Sequence, residues 1–373
     1  MFSRTNNDKT RAPSVGPAPS RDFFTDTTRS SLSRDPLAPV VHHSYALRSL
    51  TRSSKSSYFD PLPARTPAAD SSASTTMKSL SSHLMTQPAS LSVSRGFRNL
   101  GNTCYMNAVL QSLLHIREFV ADIRKDSSSG SIAWHLSNLS DEIGKSEVSL
   151  PAVDPSEFKR AMSKVIPGLW GGYDQQDALE FLLAVLDCVD EEKKTNSVDL
   201  LRGTFLSRIR CSNCFQVSTR SDPFTTLCLP LMTADSAMSI SALIRSFCSN
   251  ERVPYRCERC QVSGESDKQT SVENWPAVLV IALKRFRWER GRSEKNKVLV
   301  QCPMQVDLGC AYSLQATVEH RGSSVNSGHY TAHVFDGRNW YLCDDNRISK
   351  VKPDEVVSSD TYMLFYRKSH IIM

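Results

Sequence analysis

Apolar residues between positions 104 and 190 recur at helical spacing in three stretches. The first follows Asn102 and Thr103, which can cap a helix, and runs through Met106, Val109, Leu110, Leu113 and Leu114. The second is predicted to begin at Pro155 behind Asp154, because proline suits the first helical position. The third is predicted behind Asp174, with an inner face of Ala178, Leu182, Val185, Leu186 and Val189.

Beyond residue 200 the pattern becomes that of strands. The continuous apolar run 277–283 predicts a central strand that is buried on both faces. Short segments rich in aromatic and β-branched residues follow, separated by Gly, Asn and Asp, at 312–319, 329–335, 340–342 and 362–366. Because helices precede strands, the sequence predicts an α+β domain.

Residues 1–95 follow neither period. They contain 21 Ser, 10 Thr and 9 of the 18 Pro, together with 12 Lys and Arg, 6 Asp and no Glu. Such a segment buries too little apolar surface to offset the entropy of ordering, so 1–95 is predicted to be a disordered tail and 96–369 the folded domain. The runs 52–57 and 65–67 resemble kinase sites, which favours kinases or other tail-binding partners, and a solvated tail without a specific partner is the open alternative.

The net charge of +6 belongs entirely to this tail, since residues 96–373 hold 33 basic and 33 acidic residues. A folded region without a net positive field argues against nucleic-acid binding. No apolar run approaches the about 20 residues that cross a bilayer, and the N-terminus has no secretory pattern. Eleven cysteines without such a signal favour metal or catalytic use in a reducing compartment, the cytoplasm or the nucleus.

Cys104 is predicted at the start of the first helix, where free N–H groups stabilise a thiolate. That position suits a nucleophile, although a buried structural cysteine is the simpler interpretation. The amide of Asn99, in the preceding turn, could donate a hydrogen bond to an oxyanion. A thiolate also needs a base. His329 opens a strand after a glycine, and a turn at 336–339 would return Asp344 toward it, while His333 on the same face remains a rival.

Two Cys-x-x-Cys pairs, Cys211 with Cys214 and Cys257 with Cys260, are separated by 42 residues. Four thiolates complete a tetrahedral zinc site with no open position, so the zinc would be structural. The wide spacing predicts that a segment protrudes between the pairs. A redox pair is the alternative, but no βαβ pattern surrounds either one.

Asp177 and Glu180 stand among several acids at the start of the third predicted helix. Acidic residues stabilise a helix N-terminus through the helix dipole, and this structural role is the simpler interpretation. The functional interpretation is a docking point for a basic peptide.

Taken together, these segments resemble the ubiquitin-specific proteases, which are papain-like deubiquitinating enzymes. Residues 96–111 resemble the cysteine box of that family, and residues 172–181 resemble its Gln-Gln-Asp box. Residues 327–332, 340–345 and 362–366 resemble its histidine box, and 279–286 and the two cysteine pairs match as well. The resemblance covers about 96–368 in family order.

The resemblance implies a thumb, a palm and fingers stapled by a zinc ribbon at about 203–275. It implies that Cys104 is the nucleophile, His329 the general base and Asp344 its orienting partner. Asn99 would be the oxyanion donor and Asp345 a supporting acid. It further implies that the arginines of the ubiquitin tail meet Asp177 and Glu180, and that Gly328 and Tyr330 form the walls of a narrow channel.

The expected activity is therefore hydrolysis of the isopeptide bond after the last glycine of ubiquitin, with ubiquitin and ubiquitinated proteins as partners. An inactive ubiquitin-binding module is disfavoured, because Cys104, His329 and Asp344 are all present. A protease for another ubiquitin-like modifier is not distinguished by the sequence. Zinc-ribbon binding of nucleic acid is disfavoured by the neutral charge of the folded region.

Overall fold

The computed structural model describes residues 93–125, 128–145, 150–167, 170–192, 198–231, 238–289, 292–324 and 327–369. The tail predicted at 1–95 therefore lies, up to residue 92, outside the described residues, as do its kinase-like runs. Ser94 and Arg95 pack on the domain, where the Arg95 guanidinium donates to the carbonyl of Pro151 at 2.7 Å. Among the described residues, no helix is long and apolar enough to cross a membrane.

The thumb, residues 93–201, is helical. Its helices are α1 Cys104–Leu114, α2 Arg117–Lys125, α3 Ile132–Ile143, α4 Ser156–Val165 and α5 Ala178–Glu192, followed by a 3-10 turn at Asp199–Leu201. All eleven residues of α1 are buried, including Asn107 and Gln111, so this helix is central rather than amphipathic. The helical prediction is confirmed, with α4 beginning one residue after Pro155 and α5 beginning four residues after Asp174.

The late start of α5 has a local cause. Asp177 Oδ1 accepts hydrogen bonds from the backbone N–H of Leu179 at 2.8 Å and of Glu180 at 3.0 Å. A carboxylate in this position satisfies donors that the first helical turn leaves unpaired. Asp177 rather than Asp174 therefore marks the N-terminus of α5.

The chain then forms sixteen strands among the described residues. Their bounds are β1 Gly203–Arg210, β2 Val217–Phe224, β3 Thr226–Pro230, β4 Met238–Ser239, β5 Glu251–Arg256, β6 Ser263–Asn274, β7 Val278–Lys284, β8 Phe286–Glu289, β9 Arg292–Lys295, β10 Val300–Gln301, β11 Gln305–Asp307, β12 Ala311–Ser324, β13 Ser327–Phe335, β14 Trp340–Asp344, β15 Arg347–Val351 and β16 Thr361–Lys368. Helix α6, Ile240–Phe247, follows β4, and a 3-10 turn at Pro353–Glu355 precedes β16.

The palm is an eight-stranded sheet with the order β15-β14-β13-β12-β16-β7-β3, and β11 pairs with β12. Its strands are antiparallel except for the parallel pair β3 and β7. The predicted central strand is confirmed as β7. Its residues Val278, Val280 and Ala282 join the core under the thumb helices. Leu279, Ile281 and Leu283 join a second core with α6 on the other face. A strand buried on both faces has no need of polar alternation.

The fingers are a four-stranded antiparallel sheet with the order β2-β1-β6-β5. Between β2 and β5 the chain leaves this sheet, because β3 joins the palm and α6 packs on it. The wide spacing of the cysteine pairs thus reflects a return to the palm rather than the protrusion that the sequence suggested.

Candidate active site

Cys104 is the first residue of α1 and is 4% exposed. The turn before it is held by the side chain of Asn99, whose Oδ1 accepts from the backbone N–H of Gly101 at 3.0 Å and of Thr103 at 3.2 Å. Gly101 and Asn102 have φ angles of 95° and 52°, in the left-handed region that favours glycine and asparagine. The local sequence therefore fixes the thiol at a helix N-terminus.

His329 lies near the start of β13 and reaches the cleft from the palm. Its Nε2 lies 2.6 Å from Asp344 Oδ1, at the end of β14. The predicted hairpin is present, since the backbone N–H of Asp336 donates to the carbonyl of Asn339 at 3.1 Å and the register continues to Ala332 opposite Cys343. A hydrogen bond with Cys104, followed by the one with Asp344, raises the pKa of His329 to about 9.

His329 therefore forms hydrogen bonds with both Cys104 and Asp344. Because Asp344 takes Nε2, the Nδ1 atom of His329 remains for the thiol. A base held between a nucleophile and an orienting carboxylate is the arrangement of thiol hydrolases. An imidazole with a raised pKa holds its proton beside a sulfur atom and can deliver it to a leaving group.

The other histidines have different surroundings. His333 is 2% exposed, and its Nδ1 lies 3.2 Å from Thr317 Oγ1. Burial lowers its pKa. His115 is buried next to the end of α1, with Nδ1 2.6 Å from the carbonyl of Gln111. Neither imidazole is placed to act on Cys104.

Asp345 follows Asp344 but binds different partners. Its Oδ2 accepts from Asn99 Nδ2 at 2.8 Å, and its Oδ1 accepts from Asn107 Nδ2 at 2.8 Å. Its carbonyl accepts the N–H of Phe97 at 2.9 Å, and a Cβ on Gly96 would lie 2.2 Å from that carbonyl. Asp345 therefore ties the palm to both sides of the turn before Cys104. The second N–H of the Asn99 amide is left to donate elsewhere.

Asp177 lies between thumb and palm. While its Oδ1 caps α5, its Oδ2 accepts from the hydroxyl of Tyr362 at 2.8 Å. Burial, followed by the charge of Asp177, raises the pKa of Tyr330 above its ordinary range. Glu180, in the first turn of α5, adds to this rise. Asp177 and Glu180 thus lie at the start of α5 near Tyr330 and Tyr362 of the palm. Asp177 both caps the helix and binds Tyr362.

Gly328 is constrained by the residues behind it. A Cβ there would lie 2.3 Å from Nε2 of His320, which is fully buried, and 2.7 Å from the carbonyl of Arg321. The N–H of Gly328 donates to Gln175 Oε1 at 3.0 Å across the gap between palm and thumb. Gly328 and Tyr330 flank His329 in β13, and Gly328 is partly buried whereas Tyr330 is only 1% exposed.

Three contributors were not assigned roles from the sequence. Gln175 bridges to Gly328, Asn107 holds Asp345, and Tyr362 holds Asp177. Asn107 is buried about one turn after Cys104, and its partner is 238 positions away in the sequence. The partner of Gln175 is 153 positions away. Only the folded chain identifies such pairs.

The four cysteines of the fingers meet at the end of the sheet. Cys211 and Cys214 lie between β1 and β2, and Cys257 and Cys260 between β5 and β6, with all four sulfur atoms within 4.8 Å of one another. The Cys211 and Cys260 sulfurs are 3.8 Å apart, and those of Cys214 and Cys257 are 3.6 Å apart. Four Zn–S bonds of about 2.3 Å in a tetrahedron place sulfurs about 3.8 Å apart. These residues could hold a metal ion.

The two knuckles have the same backbone. Phe215 and Gln261, each directly after the second cysteine of a pair, have φ angles of 60° and 58°. Each donates its N–H to the carbonyl of the first cysteine, at 3.0 Å and 2.8 Å. The N–H groups of Cys214 and Val262 lower the pKa of Cys211 and Cys260 respectively, whereas burial and the neighbouring thiols raise the pKa of Cys214.

The fold and the cleft define a class of protein, an α+β domain of thumb, palm and fingers with cysteine, histidine and aspartate at the seam. A sequence model of the family "Ubiquitin carboxyl-terminal hydrolase" matches residues 95–366. The chain therefore belongs to this family, the ubiquitin-specific proteases, as the sequence motifs predicted.

Similar proteins include human ubiquitin carboxyl-terminal hydrolase 21, which is 30% identical over 73% of this chain and 61% of its own length. Human ubiquitin carboxyl-terminal hydrolase 3 is 27% identical over 73% of this chain and 67% of its own length. The match spans about three fifths of the length of the first of these relatives.

Solved structures share the fold. The SAGA DUB module of Ubp8, Sgf11, Sus1 and Sgf73 bound to monoubiquitin matches with a TM-score of 0.65 and 24% identity, over 77% of this chain and 73% of the other. The same module bound to ubiquitin aldehyde matches with a TM-score of 0.66 and 23% identity, over 77% and 72%. The predicted α+β, papain-like fold with thumb, palm and fingers is confirmed.

Proposed function

We propose that this chain is a cysteine-type deubiquitinase that hydrolyses the isopeptide bond after the last glycine of ubiquitin. The observation that carries the proposal is the placement of His329 between Cys104 and Asp344, with Nε2 2.6 Å from the carboxylate. Membership of the ubiquitin carboxyl-terminal hydrolase family supports ubiquitin as the modifier. Ubiquitinated proteins would then be the substrates.

The mechanism assigns each step to an atom of the cleft. The Cys104 thiolate attacks the glycine carbonyl carbon, and the His329 imidazolium protonates the lysine amine as the C–N bond breaks. The remaining N–H of Asn99 and the free N–H groups at the start of α1 donate to the oxyanion. His329 then deprotonates a water molecule, which hydrolyses the thioester and returns the thiol.

Asp344 and Asp345 have separate tasks in this proposal. Asp344 fixes the ring orientation of His329, because it accepts from Nε2. Asp345 fixes Asn99 from the other side of the cleft, through the 2.8 Å contact with Nδ2. It is therefore proposed as a positioning residue for the oxyanion donor, and this contact is the physical basis of its predicted supporting role.

The substrate tail is proposed to lie between α5 and the palm. Asp177 and Glu180 supply negative charge there for arginines, and Gly328 and Tyr330 bound the channel near His329. Asp177 also caps α5 through Oδ1, so a structural role and a binding role would coexist. Entry of a peptide would replace the contact between Gln175 and Gly328.

Zinc is the metal proposed for the fingers. The sulfur separations and the four-cysteine donor set fit a closed tetrahedral site, which supplies stability rather than chemistry. The eleven free cysteines fit a reducing compartment, and the cytoplasm or nucleus is therefore proposed as the location.

The decisive experiment is reaction with ubiquitin that carries a C-terminal electrophile. We expect a covalent adduct on Cys104, identified by mass spectrometry of the digested protein. The same electrophile on related modifiers tests selectivity. Preferential labelling by another ubiquitin-like protein would assign the chain to that modifier, and labelling that persists in Cys104→Ala would contradict the proposed nucleophile.

A further inference from the structure

A groove of about 670 Å³ lies on the thumb beside the turn that leads to Cys104. Its walls are the segment 98–100, the α4 side chains Lys159 and Arg160, and Tyr173. Three cationic side chains line it, with Arg98 as the third, and none of the described lining residues carries a carboxylate. The described side chains that line the groove thus carry a net positive charge, although residues 96–373 have no net charge.

The three cations are held differently. Arg98 Nη2 lies 2.8 Å from Asp154 Oδ2, with both side chains about half exposed. Lys159 Nζ donates to the carbonyl of Gly172 at 2.8 Å and lies 5.1 Å from the ring centroid of Tyr173. Arg160 is exposed and forms no ion pair with any residue that the structure describes. Its charge therefore faces solvent at the groove.

Tyr173 gives the groove an aromatic wall. Its side chain is 73% exposed, and a Cβ on Gly101 would lie 2.9 Å from its Cδ1. The carbonyl of Tyr173 accepts from Asn102 Nδ2 at 2.9 Å, which fastens it to the turn before Cys104. A large aromatic ring beside cations offers contact area to a bound segment and leaves the charges accessible.

The segment 173–177 separates this groove from the proposed tail channel. Tyr173 faces the groove, while Gln175 contacts Gly328 and Asp177 contacts Tyr362 on the palm side. Asn99 borders the groove and also reaches Asp345 of the palm. If the ubiquitin tail occupies the palm side, the groove lies on the side of the oxyanion donor where the acceptor protein leaves. This argument rests on the proposed function.

We propose that the groove binds an acidic segment of the ubiquitinated protein that flanks the acceptor lysine. Charge complementarity favours this occupant, because Lys159 and Arg160 line the groove without a carboxylate partner among the described lining residues, while Arg98 is paired with Asp154. The chain's own residues 1–92 are a poor alternative, since they hold 11 Lys and Arg against 6 Asp. The enzyme would then prefer conjugates on lysines with acidic neighbours.

The test compares two isopeptide conjugates of ubiquitin that differ in the acceptor peptide. One peptide carries glutamates on both sides of the lysine, and the other carries glutamines. We expect kcat/KM to be about three- to tenfold higher for the glutamate peptide at low salt, with the preference reduced at 0.5 M NaCl. Ubiquitin with a small C-terminal amide reporter has no acceptor peptide. Its kcat/KM therefore reports hydrolysis in the cleft without any contribution from the groove.

Arg160→Glu reverses the exposed charge and is expected to reduce the preference by more than it changes hydrolysis of the reporter. Lys164→Glu is the matched control, because it makes the same change on an exposed residue of α4 outside the groove. The control is expected to retain the preference.

Equal kcat/KM values for the two conjugates would overturn the inference, as would a preference that is insensitive to both salt and Arg160→Glu. Failure to hydrolyse any substrate, including the reporter, would instead contradict the proposed function. In that case, binding of the two conjugates, measured by fluorescence polarisation, still tests the groove. Tighter binding of the glutamate conjugate that Arg160→Glu removes would support the inference. Equal binding of the two conjugates would contradict it.

Discussion

Cysteines are central to both the cleft, which contains Cys104, His329 and Asp344, and the fingertip, which contains Cys211, Cys214, Cys257 and Cys260. The two regions differ in whether local or distant contacts position these side chains. At the fingertip, each half of the cluster is a turn of a few residues, and the two turns have matching φ angles at Phe215 and Gln261. In the cleft, Cys104 belongs to the thumb, whereas His329 and Asp344 belong to the palm. The contact between Asn99 and Asp345 spans 246 positions.

This difference separates what each region contributes. The fingertip turns are formed by their own backbone hydrogen bonds, so a metal has only to join two prepared halves. The cleft has no such local unit, because Cys104 and His329 meet only when thumb and palm pack together. Damage to the cleft should therefore affect rate, and damage to the fingertip should affect stability.

The largest expected effect is that of Cys104→Ala. Removing the nucleophile should lower kcat/KM for a ubiquitin amide reporter by about four orders of magnitude or more. Binding of ubiquitin, measured by fluorescence polarisation, should persist, because the channel residues are unchanged. Cys188→Ala, a buried cysteine of α5 outside the cleft, controls for loss of a thiol. Substantial turnover by Cys104→Ala would contradict the proposed chemistry.

The second prediction separates the two adjacent aspartates. Asp344→Asn should lower kcat by about 10²- to 10⁴-fold, because the carboxylate that orients His329 is lost. Asp345→Asn should cost less, about tenfold, since it leaves Asp344 on His329 and loses one of the two contacts that Asp345 makes with Asn99 and Asn107. Steady-state kinetics on the reporter measures both. If Asp345→Asn were the more damaging change, Asp345 rather than Asp344 would be the orienting residue.

The third prediction concerns the fingertip. Cys257→Ser should remove one metal ligand, and a loss of about 3 kcal/mol would lower Tm by roughly 6–12 °C. Cys248→Ser, a half-buried cysteine outside the cluster, should change Tm far less. Differential scanning calorimetry with and without a chelator gives the measurement. An unchanged Tm in chelator, with no zinc found by elemental analysis, would argue against the metal site.

The fourth prediction uses the pKa of His329, raised from 6.5 to about 9. Because the folded protein holds this proton more tightly, the associated stability is complete below pH 6.5 and is lost as the pH rises through about 9. The value of kcat/KM should fall over the same alkaline range, since the imidazolium is needed to protonate the leaving amine.

The source of this shift can be tested by NMR titration of His329. The hydrogen bond with Cys104 is the largest cause, so Cys104→Ala should lower the His329 pKa more than Asp344→Asn does. His115, which is buried and has a lowered pKa, serves as the internal reference. A larger change in Asp344→Asn would show that the carboxylate rather than the thiol dominates.

Much of this site was predictable because its signals are local. The apolar period placed Cys104 at a helix N-terminus, and the turn at 336–339 placed Asp344 near His329. The predicted capping bond is absent, since Thr103 occupies the N-cap position without a side-chain cap and the Asn102 side chain donates to the carbonyl of Tyr173. The start of α5 was placed too early, because several acids precede the helix and only the folded backbone identifies Asp177 as the cap.

The sequence by itself determined the class of the fold, the family, the two cysteine turns and the types of residue that chemistry requires, because these depend on period and spacing along the chain. The family motif already favoured His329 over His333, and the structure shows the contact of His329 with Cys104. Only the tertiary structure decided that Asp345 holds Asn99 and Asn107, and that a cationic groove borders the same turn. The physical reason is that such contacts join residues of separate elements, and their energies depend on the packing of helices against the sheet.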